Sequence, residues 1–365
     1  MAATDVERAA DIVRALAREP RPAGGEAEAR ARALCAARLE AVGFTVREEA
    51  FEYSSFIGRW GTPIGGVASL AIVVTAWTLA RDGRAAHALA LLVAAAMALA
   101  LVARIAARSG VLTFPAGRAR GVNLVGTRGA DPPALWLMAH VDSKSQPVPI
   151  LVRAIGITLL GAAWLVSIGL AVAQMAGWVL PSWWWSFVGV AAVAGAVPVI
   201  ATTVGARSPG ALDNASGVAA VLVAAETTRG PVGVCLTSAE ELGLAGARAW
   251  VLNRRAAIAV NCDGVDDGGT LTCMHSGTAP AELIARVAKA ARACGGTVRA
   301  HRLLLGVLTD GVALADAGWD VVTLSKGGVG TLARIHTVRD RAELLSGTGI
   351  AEVARILARL VDGPT

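Results

Sequence analysis

The chain has 365 residues, a formal net charge of +6, 55% hydrophobic and only 17% charged residues, with a mean hydropathy of +0.56. Soluble domains carry about 25% charged residues, so this composition excludes a disordered chain, a coiled coil and a disulfide scaffold. Arginines are spread along the chain without a basic run interleaved with aromatic residues, so no nucleic-acid partner is expected.

Two helices and a strand are predicted before the first long apolar run. Apolar periodicity indicates helices over residues 5–18 and 25–42, with Gly43 ending the second. Alternation over Phe44–Phe51 indicates a strand. The N-terminus has no apolar core of the signal-peptide kind.

Three stretches, residues 60–80, 85–103 and 154–206, contain no Asp, Glu, Lys or Arg. A helix of about 20 apolar residues crosses a bilayer, so four membrane helices in two hairpins are predicted, at 61–80, 85–105, 154–178 and 183–204. Core helices of a soluble protein are the alternative, but such helices are seldom apolar on every face over five turns. Tryptophans lie at the ends of the runs, as in an interfacial belt, at positions 60, 178, 183, 184 and 185.

Two hairpins place all other segments on one side of the membrane. Cations near the helix ends on that side are Arg47, Arg59, Arg104, Arg108, Arg118, Arg120, Lys144, Arg153 and Arg207. The opposite side has only Arg81 and Arg84. The positive-inside rule therefore predicts a multi-pass membrane protein whose larger domain is cytoplasmic. We expect a discontinuous domain of residues 1–58, 106–153 and 206–365, with hairpins at 59–105 and 154–205.

The remaining chain alternates between strand and helix patterns, which indicates an α/β fold. Short apolar runs of strand length occur at 121–126, 134–139, 232–237, 256–261, 270–275, 297–302 and 321–325. Helical patterns lie near 215–227, 243–254, 281–294 and 341–361.

Five short segments carry most of the residues suited to chemistry. They are His140-Val141-Asp142, Gly210–Gly217, Ser238–Gly243, Asn261-Cys262-Asp263 and Ile335-His336-Thr337. Each lies at or after a predicted strand end, the edge where ligands bind in α/β sheets. Burial of so many carboxylates is costly without cations, and two divalent metal ions would remove that cost.

In this order, the segments HxD, GALDNASG, AEELGLAG, NCD and IHT resemble peptidase family M28, the dinuclear zinc peptidases that include aminopeptidases and glutamate carboxypeptidases. The resemblance covers residues 215–365 continuously and 1–55 and 117–146 in pieces. It implies a three-layer α/β domain with a mixed central sheet, a peptide substrate and two Zn²⁺ ions.

The same resemblance implies a ligand for each metal position. Asp213 would bridge both ions, with His140 and Asp263 completing one site and Glu241 and His336 the other. Carboxylate and imidazole ligands suit Zn²⁺, and a bridging position needs the two oxygens of a carboxylate.

Two further residues would act without ligating a metal. Glu240 would be the general base, taking a proton from water and delivering it to the leaving amine. Asp142 would hydrogen-bond the far nitrogen of His140 and fix its tautomer. Asp310 and Asp340 each remain open between a supporting role at the site and a helix cap.

The chain departs from the family pattern in two places. About 70 residues separate HxD from ALDN, mostly the second predicted hairpin, so we expect the catalytic cleft to lie near the bilayer surface. Some family members have Tyr before the final His, where Ile335 stands here, which leaves one oxyanion donor unassigned.

The leading hypothesis is a membrane-embedded zinc aminopeptidase that hydrolyses peptides. A glutaminyl cyclase-like acyltransferase or a carboxypeptidase on the same fold is the close alternative, and an inactive binding or scaffold protein is the third. A transporter is disfavoured because the membrane segments contain almost no polar residues. The oligomeric state and the preferred substrate side chain are not predicted.

Overall fold

The structure is a computed structural model that describes residues 3–129, 132–304 and 306–363. The chain folds into two compact units. The first comprises residues up to Ser55, Val111–Ser145 and everything from Gly205 on, and the second comprises Phe56–Gly110 and Gln146–Val204. Each unit has its own hydrophobic core.

The α-helices are α1 (Ala3–Leu16), α2 (Glu26–Ala41), α3 (Ser55–Arg81), α4 (Ala85–Ile105), α5 (Val111–Thr113), α6 (Ile150–Met175), α7 (Trp183–Ile200), α8 (Ser216–Thr227), α9 (Ala245–Val251), α10 (Ala281–Ala293), α11 (Asp310–Asp316), α12 (Val329–Leu332) and α13 (Thr348–Asp362). The strands are β1 (Thr45–Ser54), β2 (Arg118–Arg128), β3 (Leu135–His140), β4 (Val232–Thr237), β5 (Ile258–Val265), β6 (Thr270–His275), β7 (Arg299–Arg302) and β8 (Asp320–Gly327).

The eight strands of the described residues form one mixed sheet in the order β1-β2-β4-β3-β5-β8-β6-β7. The four central strands, β4, β3, β5 and β8, are mutually parallel. The strands outside them add antiparallel pairs, β1 with β2 and β6 with β8. Because the central strands run in the same direction, their carboxyl ends meet at one edge of the sheet.

Helices cover both faces of this sheet, so the predicted α/β fold class is confirmed. β3 is buried at every residue, as expected for a parallel strand between two helical layers. On one face α8 is buried from Ser216 to Ala225 and contributes to the main core with α1 and α13. On the other face α9 and α11 enclose a smaller hydrophobic core. In it the Trp250 and Trp136 rings pack edge to face, with their ring centroids 4.9 Å apart.

The last helix begins later than the sequence predicts. A helix is expected from about residue 341, but residues 342–344 form a 3₁₀ turn and α13 begins at Thr348. Gly347 adopts a left-handed φ of 90° before the helix, and Asp267 Oδ1 accepts a hydrogen bond from the Gly349 N–H. The chain therefore reverses before the helix starts, which the apolar pattern does not indicate.

The second unit contains four helices, α3, α4, α6 and α7, each long and apolar enough to cross a membrane. Their small residues allow close packing. A Cβ on Gly156 would lie 2.6 Å from Pro198 Cγ, and one on Gly195 would lie 2.6 Å from the Leu160 nitrogen. α6 ends at Met175 rather than 178, and Gly177 follows with a φ of 84°. Many large apolar side chains of these four helices are exposed, a pattern typical of helices that face lipid.

Candidate metal centre

The predicted site residues lie at or near the carboxyl edge of the parallel strands. His140 is the last residue of β3, and Asp263 lies near the end of β5. Glu240 and Glu241 form a 3₁₀ turn after β4. Asp213 precedes α8 and His336 follows α12. Six residues from five separate segments are thus brought to one place.

The first cluster surrounds one imidazole nitrogen. His140 Nε2 lies 3.1 Å from Asp213 Oδ1, 3.7 Å from Asp263 Oδ1 and 3.9 Å from Glu240 Oε2. One ligand atom each of His140, Glu240 and Asp263 lies within 4.8 Å of the others. Burial opposes protonation of this imidazole, yet Glu240 and the other carboxylates raise the pKa of His140 well above its ordinary value. The cluster is therefore a strongly negative pocket that favours a cation.

The second cluster is built around the other Asp213 oxygen. His336 Nε2 lies 3.0 Å from Asp213 Oδ2 and 3.2 Å from Glu241 Oε2, and all three side chains are buried. Burial opposes ionisation of Asp213, but the adjacent imidazoles of His140 and His336 hold its pKa well below the ordinary value. Asp213 presents one oxygen to each cluster, the arrangement required of a carboxylate shared by two cations.

The donor set fits two divalent cations. Three buried atoms of the clusters have no hydrogen-bond partner, namely His140 Nε2, Glu241 Oε1 and His336 Nδ1. His140 Nδ1 lies 3.1 Å from the Asp142 carbonyl oxygen, so it can donate its proton there and leave the Nε2 lone pair facing the carboxylates. A metal ion that displaces the proton of Nε2 would satisfy this nitrogen together with the three carboxylate oxygens, and this mixture of nitrogen and oxygen suits Zn²⁺.

Glu240 and Glu241 are adjacent, but their surroundings move their pKa values in opposite directions. Burial raises the pKa of Glu240 well above its usual range, and the neighbouring Glu241 carboxylate adds to this rise against the effect of His140. Burial also acts on Glu241, but His336 and Lys144 outweigh it and lower its pKa to about 2. Neighbouring carboxyl groups whose pKa values differ in this way are typical of active sites in which one group carries a proton and the other stays ionised.

Asp142 holds different partners from those expected. Its carboxylate Oδ1 lies 3.6 Å from His140 Nδ1, and its backbone carbonyl rather than its side chain makes the close contact with that nitrogen. The carboxylate instead accepts hydrogen bonds from the Glu240 and Glu241 N–H groups at 3.1 and 3.2 Å. Asp142 therefore orients the turn that carries both glutamates.

The Asp213 segment is fixed from two directions. Asp340 accepts hydrogen bonds from the Leu212 and Asp213 N–H groups at 2.6 and 3.1 Å, so it supports this loop instead of capping the helix expected from 341. Asn214 Oδ1 accepts from the Gly217 N–H at 3.0 Å. A Cβ on Gly217 would lie 2.3 Å from that oxygen, so only glycine fits there.

Asp310 contacts Thr237, the residue of β4 that pairs with His140 of β3. It begins α11, where Thr309 is the cap, and its Oδ2 accepts a hydrogen bond from the Thr237 hydroxyl. Burial raises its pKa to about 7, partly offset by His140. The side chain therefore buttresses the end of β4 and is not a helix cap.

Sequence reasoning missed Arg21, which is 1% exposed. Its guanidinium donates hydrogen bonds of 2.6–2.9 Å to four backbone carbonyls, those of Leu16, Val141, Pro209 and Gly210. The Val141 and Gly210 carbonyls belong to the segments that carry His140 and Asp213. Arg21 therefore joins the two ends of the loop into which the second apolar insertion is placed in the sequence.

Sequence reasoning also gave no site role to Lys144. Its Nζ lies 2.6 Å from Glu241 Oε2, and both side chains are largely buried. The sequence offers one signal for Lys144. Lysine is rare in this chain, with three lysines among the 34 lysine and arginine residues, and this one lies two residues after Asp142.

Residues 193–361 match the model of peptidase family M28. The fold is similar to an aminopeptidase from Aneurinibacillus sp. strain AM-1, with a TM-score of 0.57 and 15% identity over 98% of this chain and 93% of that chain. It is also similar to BSAP, a zinc aminopeptidase from Bacillus subtilis (TM-score 0.55, 14% identity, 97% and 94% covered). A glutaminyl cyclase from Porphyromonas gingivalis is similar to the same degree (TM-score 0.57, 14% identity, 98% and 97% covered). A comparison with curated proteins gives no match.

Proposed function

We propose that this chain, whose residues 193–361 match the model of peptidase family M28, is a membrane-anchored zinc aminopeptidase with two metal ions. The observation that carries the proposal is Asp213, whose Oδ1 lies 3.1 Å from His140 and whose Oδ2 lies 3.0 Å from His336. A zinc metallopeptidase is the enzyme class to which the family and this donor set both point.

His140, Asp213 and Asp263 would hold one zinc ion, and Asp213, Glu241 and His336 the other. When bound, such a pair lowers the pKa of water towards neutrality and polarises the scissile carbonyl group. Asp142 keeps both glutamates directed into the site through their backbone N–H groups.

Glu240 is the proposed base. Its raised pKa suits a group that takes a proton from the attacking water and later gives it to the leaving amine nitrogen at neutral pH. Glu241, whose pKa is lowered to about 2, is suited to permanent ligation. This division of roles between neighbouring carboxylates is the one implied by the sequence resemblance.

Glutaminyl cyclase activity is the second candidate. Glutaminyl cyclases occur beside aminopeptidases among the solved structures with this fold, and the ligand set alone does not separate the two reactions. Peptides beginning with Gln separate them by mass, since cyclisation removes one ammonia and aminopeptidase action removes a whole residue.

The proposal predicts that purified full-length protein contains two zinc ions per chain and hydrolyses peptides with a free N-terminus. Chelation is expected to abolish hydrolysis, and added Zn²⁺ to restore it. The measurements are metal analysis and mass spectrometry of free, N-acetylated and Gln-initiated peptides. Equal cleavage of acetylated peptides would contradict an aminopeptidase, and a zinc-free inactive protein would support the scaffold alternative.

The membrane part of the proposal is supported by four apolar helices of 18 to 27 residues and by Arg and Lys residues near their ends. We propose a multi-pass protein with the peptidase unit in the cytoplasm. Placement of the catalytic cleft near the bilayer remains a prediction from the position of the second insertion in the sequence.

Sidedness is expected to appear in cysteine labelling of intact cells. Asp82→Cys, between α3 and α4, should react with a membrane-impermeant maleimide, whereas Lys289→Cys on α10 should react only after permeabilisation. Four of the five native cysteines are buried and the fifth, Cys294, is half-buried, so the unsubstituted chain gives the background. The reversed pattern would place the peptidase unit outside the cell.

A further inference from the structure

The Lys144 ammonium group lies next to a proposed metal-ligand oxygen of Glu241. Its Nζ contacts Glu241 Oε2 at 2.6 Å. This is the same oxygen that lies 3.2 Å from His336 Nε2, whereas the other oxygen, Oε1, is buried without a hydrogen-bond partner. The ammonium group is therefore on the ligand-facing side of Glu241 and does not brace it from behind.

Two arginines close to the site segments already have partners. Arg21 is engaged with four backbone carbonyls, and Arg334 is paired with Asp266. Ile335, beside His336, packs against the main hydrophobic core and has no side-chain donor. The remaining charged side chains that line the two clusters are carboxylates and imidazoles.

The backbone around Lys144 is fixed while its side chain is long. Ser143 Oγ accepts a hydrogen bond from the Arg21 N–H, and Ser145 exchanges two backbone hydrogen bonds with Gly205 at 2.8 and 2.9 Å. A lysine on such a support can move its compact ammonium group by several ångströms about four rotatable bonds. If Glu241 gives Oε2 to a metal ion, the Lys144 ammonium group lies beside that ion, within reach of a negative oxygen bound there.

We propose that this oxygen belongs to the substrate, and that the Lys144 ammonium group binds the oxygen of the scissile carbonyl and stabilises the negative charge that forms on it. The inference rests on the proposed function and deepens it. Water adds to the carbonyl carbon, its proton passes to Glu240, and the C–N bond then breaks as the amine nitrogen receives that proton. Lys144 keeps its own protons throughout and contributes charge and a hydrogen bond.

The test compares Lys144→Met with the native chain and with Lys289→Met, a control at an exposed position on α10. Removal of one such donor costs about 10²–10³-fold in kcat, so we expect that loss in Lys144→Met with KM within about threefold of native. Zinc content should stay at two ions per chain. Lys144→Cys treated with 2-bromoethylamine, which restores an ammonium group at this length, should regain most of the lost rate.

A binding measurement gives a second readout that does not depend on turnover. The affinity for an α-aminophosphonic acid, which carries a tetrahedral anionic group, should fall by a factor similar to that in kcat. The affinity for the amino alcohol leucinol, which has no anionic group, should be nearly unchanged. An unaltered kcat and phosphonate affinity would overturn the inference. The inference would also be wrong if Lys144→Met bound less zinc but kept full activity per bound zinc ion. In that case Lys144 would act only by positioning Glu241 as a ligand.

The substrate's terminal carboxylate is the other possible source of negative charge. If Lys144→Met slows only peptides with a free C-terminal carboxylate and not the corresponding C-terminal amides, Lys144 anchors that carboxylate and the inference is wrong. A native protein that hydrolyses no peptide would defeat the proposed function, and the phosphonate affinities would still decide whether Lys144 binds an oxyanion.

Discussion

Replacing Glu240 with Gln is expected to lower kcat about 10³-fold, within the range found for loss of a general acid–base group, while two zinc ions remain bound. Gln has nearly the same shape but does not accept a proton at neutral pH. The ligand oxygens of Asp213, Asp263 and Glu241 are unchanged by this substitution. Metal analysis and steady-state kinetics on the same preparation provide the measurement.

The neighbouring residue supplies the matched comparison. Glu241→Gln removes a charged ligand whose pKa is lowered to about 2, so it should reduce zinc content as well as activity. Glu343→Gln, at an exposed position, should change neither. If Glu240→Gln loses zinc to the same extent as Glu241→Gln, Glu240 is a ligand, as its place 3.9 Å from His140 Nε2 would allow, and another group must move the proton.

The types and order of the site residues were available from the sequence because metal ligation restricts the choice of side chain. His140, Asp213 and His336 lie far apart in the chain, yet each follows or precedes an element that ends at one edge of the sheet. A parallel sheet brings such positions together whatever the exact length of its connections.

The contacts that orient these residues were not available from the sequence. Asp142 was expected to hold His140 through its carboxylate, but a rotation of one side chain decides whether carboxylate or carbonyl faces the ring. Arg21 and Lys144 lie in segments without a recognisable motif. Three of the four carbonyls that Arg21 contacts lie 120 to 189 residues away, and Glu241 is distant in sequence from Lys144. No local pattern records such pairs.

The same distinction applies to the fold. The long apolar helices and the buried strands are predictable because burial requires apolar residues. These residues recur at each helical turn or at every second position of a strand. α11 has only seven residues, too few for a period to be recognised. The late start of α13 depends on the turn at Gly347 and on Asp267, whose carboxylate accepts hydrogen bonds from the Ser346 and Gly349 N–H groups.

Asp213→Asn is expected to weaken both zinc sites by about 100-fold or more, a larger effect than loss of a group outside the ligand shell. Asp213 gives Oδ1 to the His140 cluster and Oδ2 to the His336 cluster. Asn offers one oxygen and no charge, and its amide group would face whichever cluster loses the oxygen. Zinc equivalents retained against a competing chelator measure the change.

Asp263→Asn is the matched comparison, because Asp263 belongs only to the first cluster. It distinguishes a ligand of one zinc ion from a ligand shared by both. It should release one zinc ion and leave the other near its native affinity, while Asp320→Asn, at an exposed position on β8, should retain both. The loop itself should remain in place in Asp213→Asn, because Asp340 holds the backbone N–H groups of Leu212 and Asp213 and not the side chain. Loss of a single ion from both Asp213→Asn and Asp263→Asn would mean that the two clusters bind independently, and a mechanism based on a shared carboxylate would have to be abandoned.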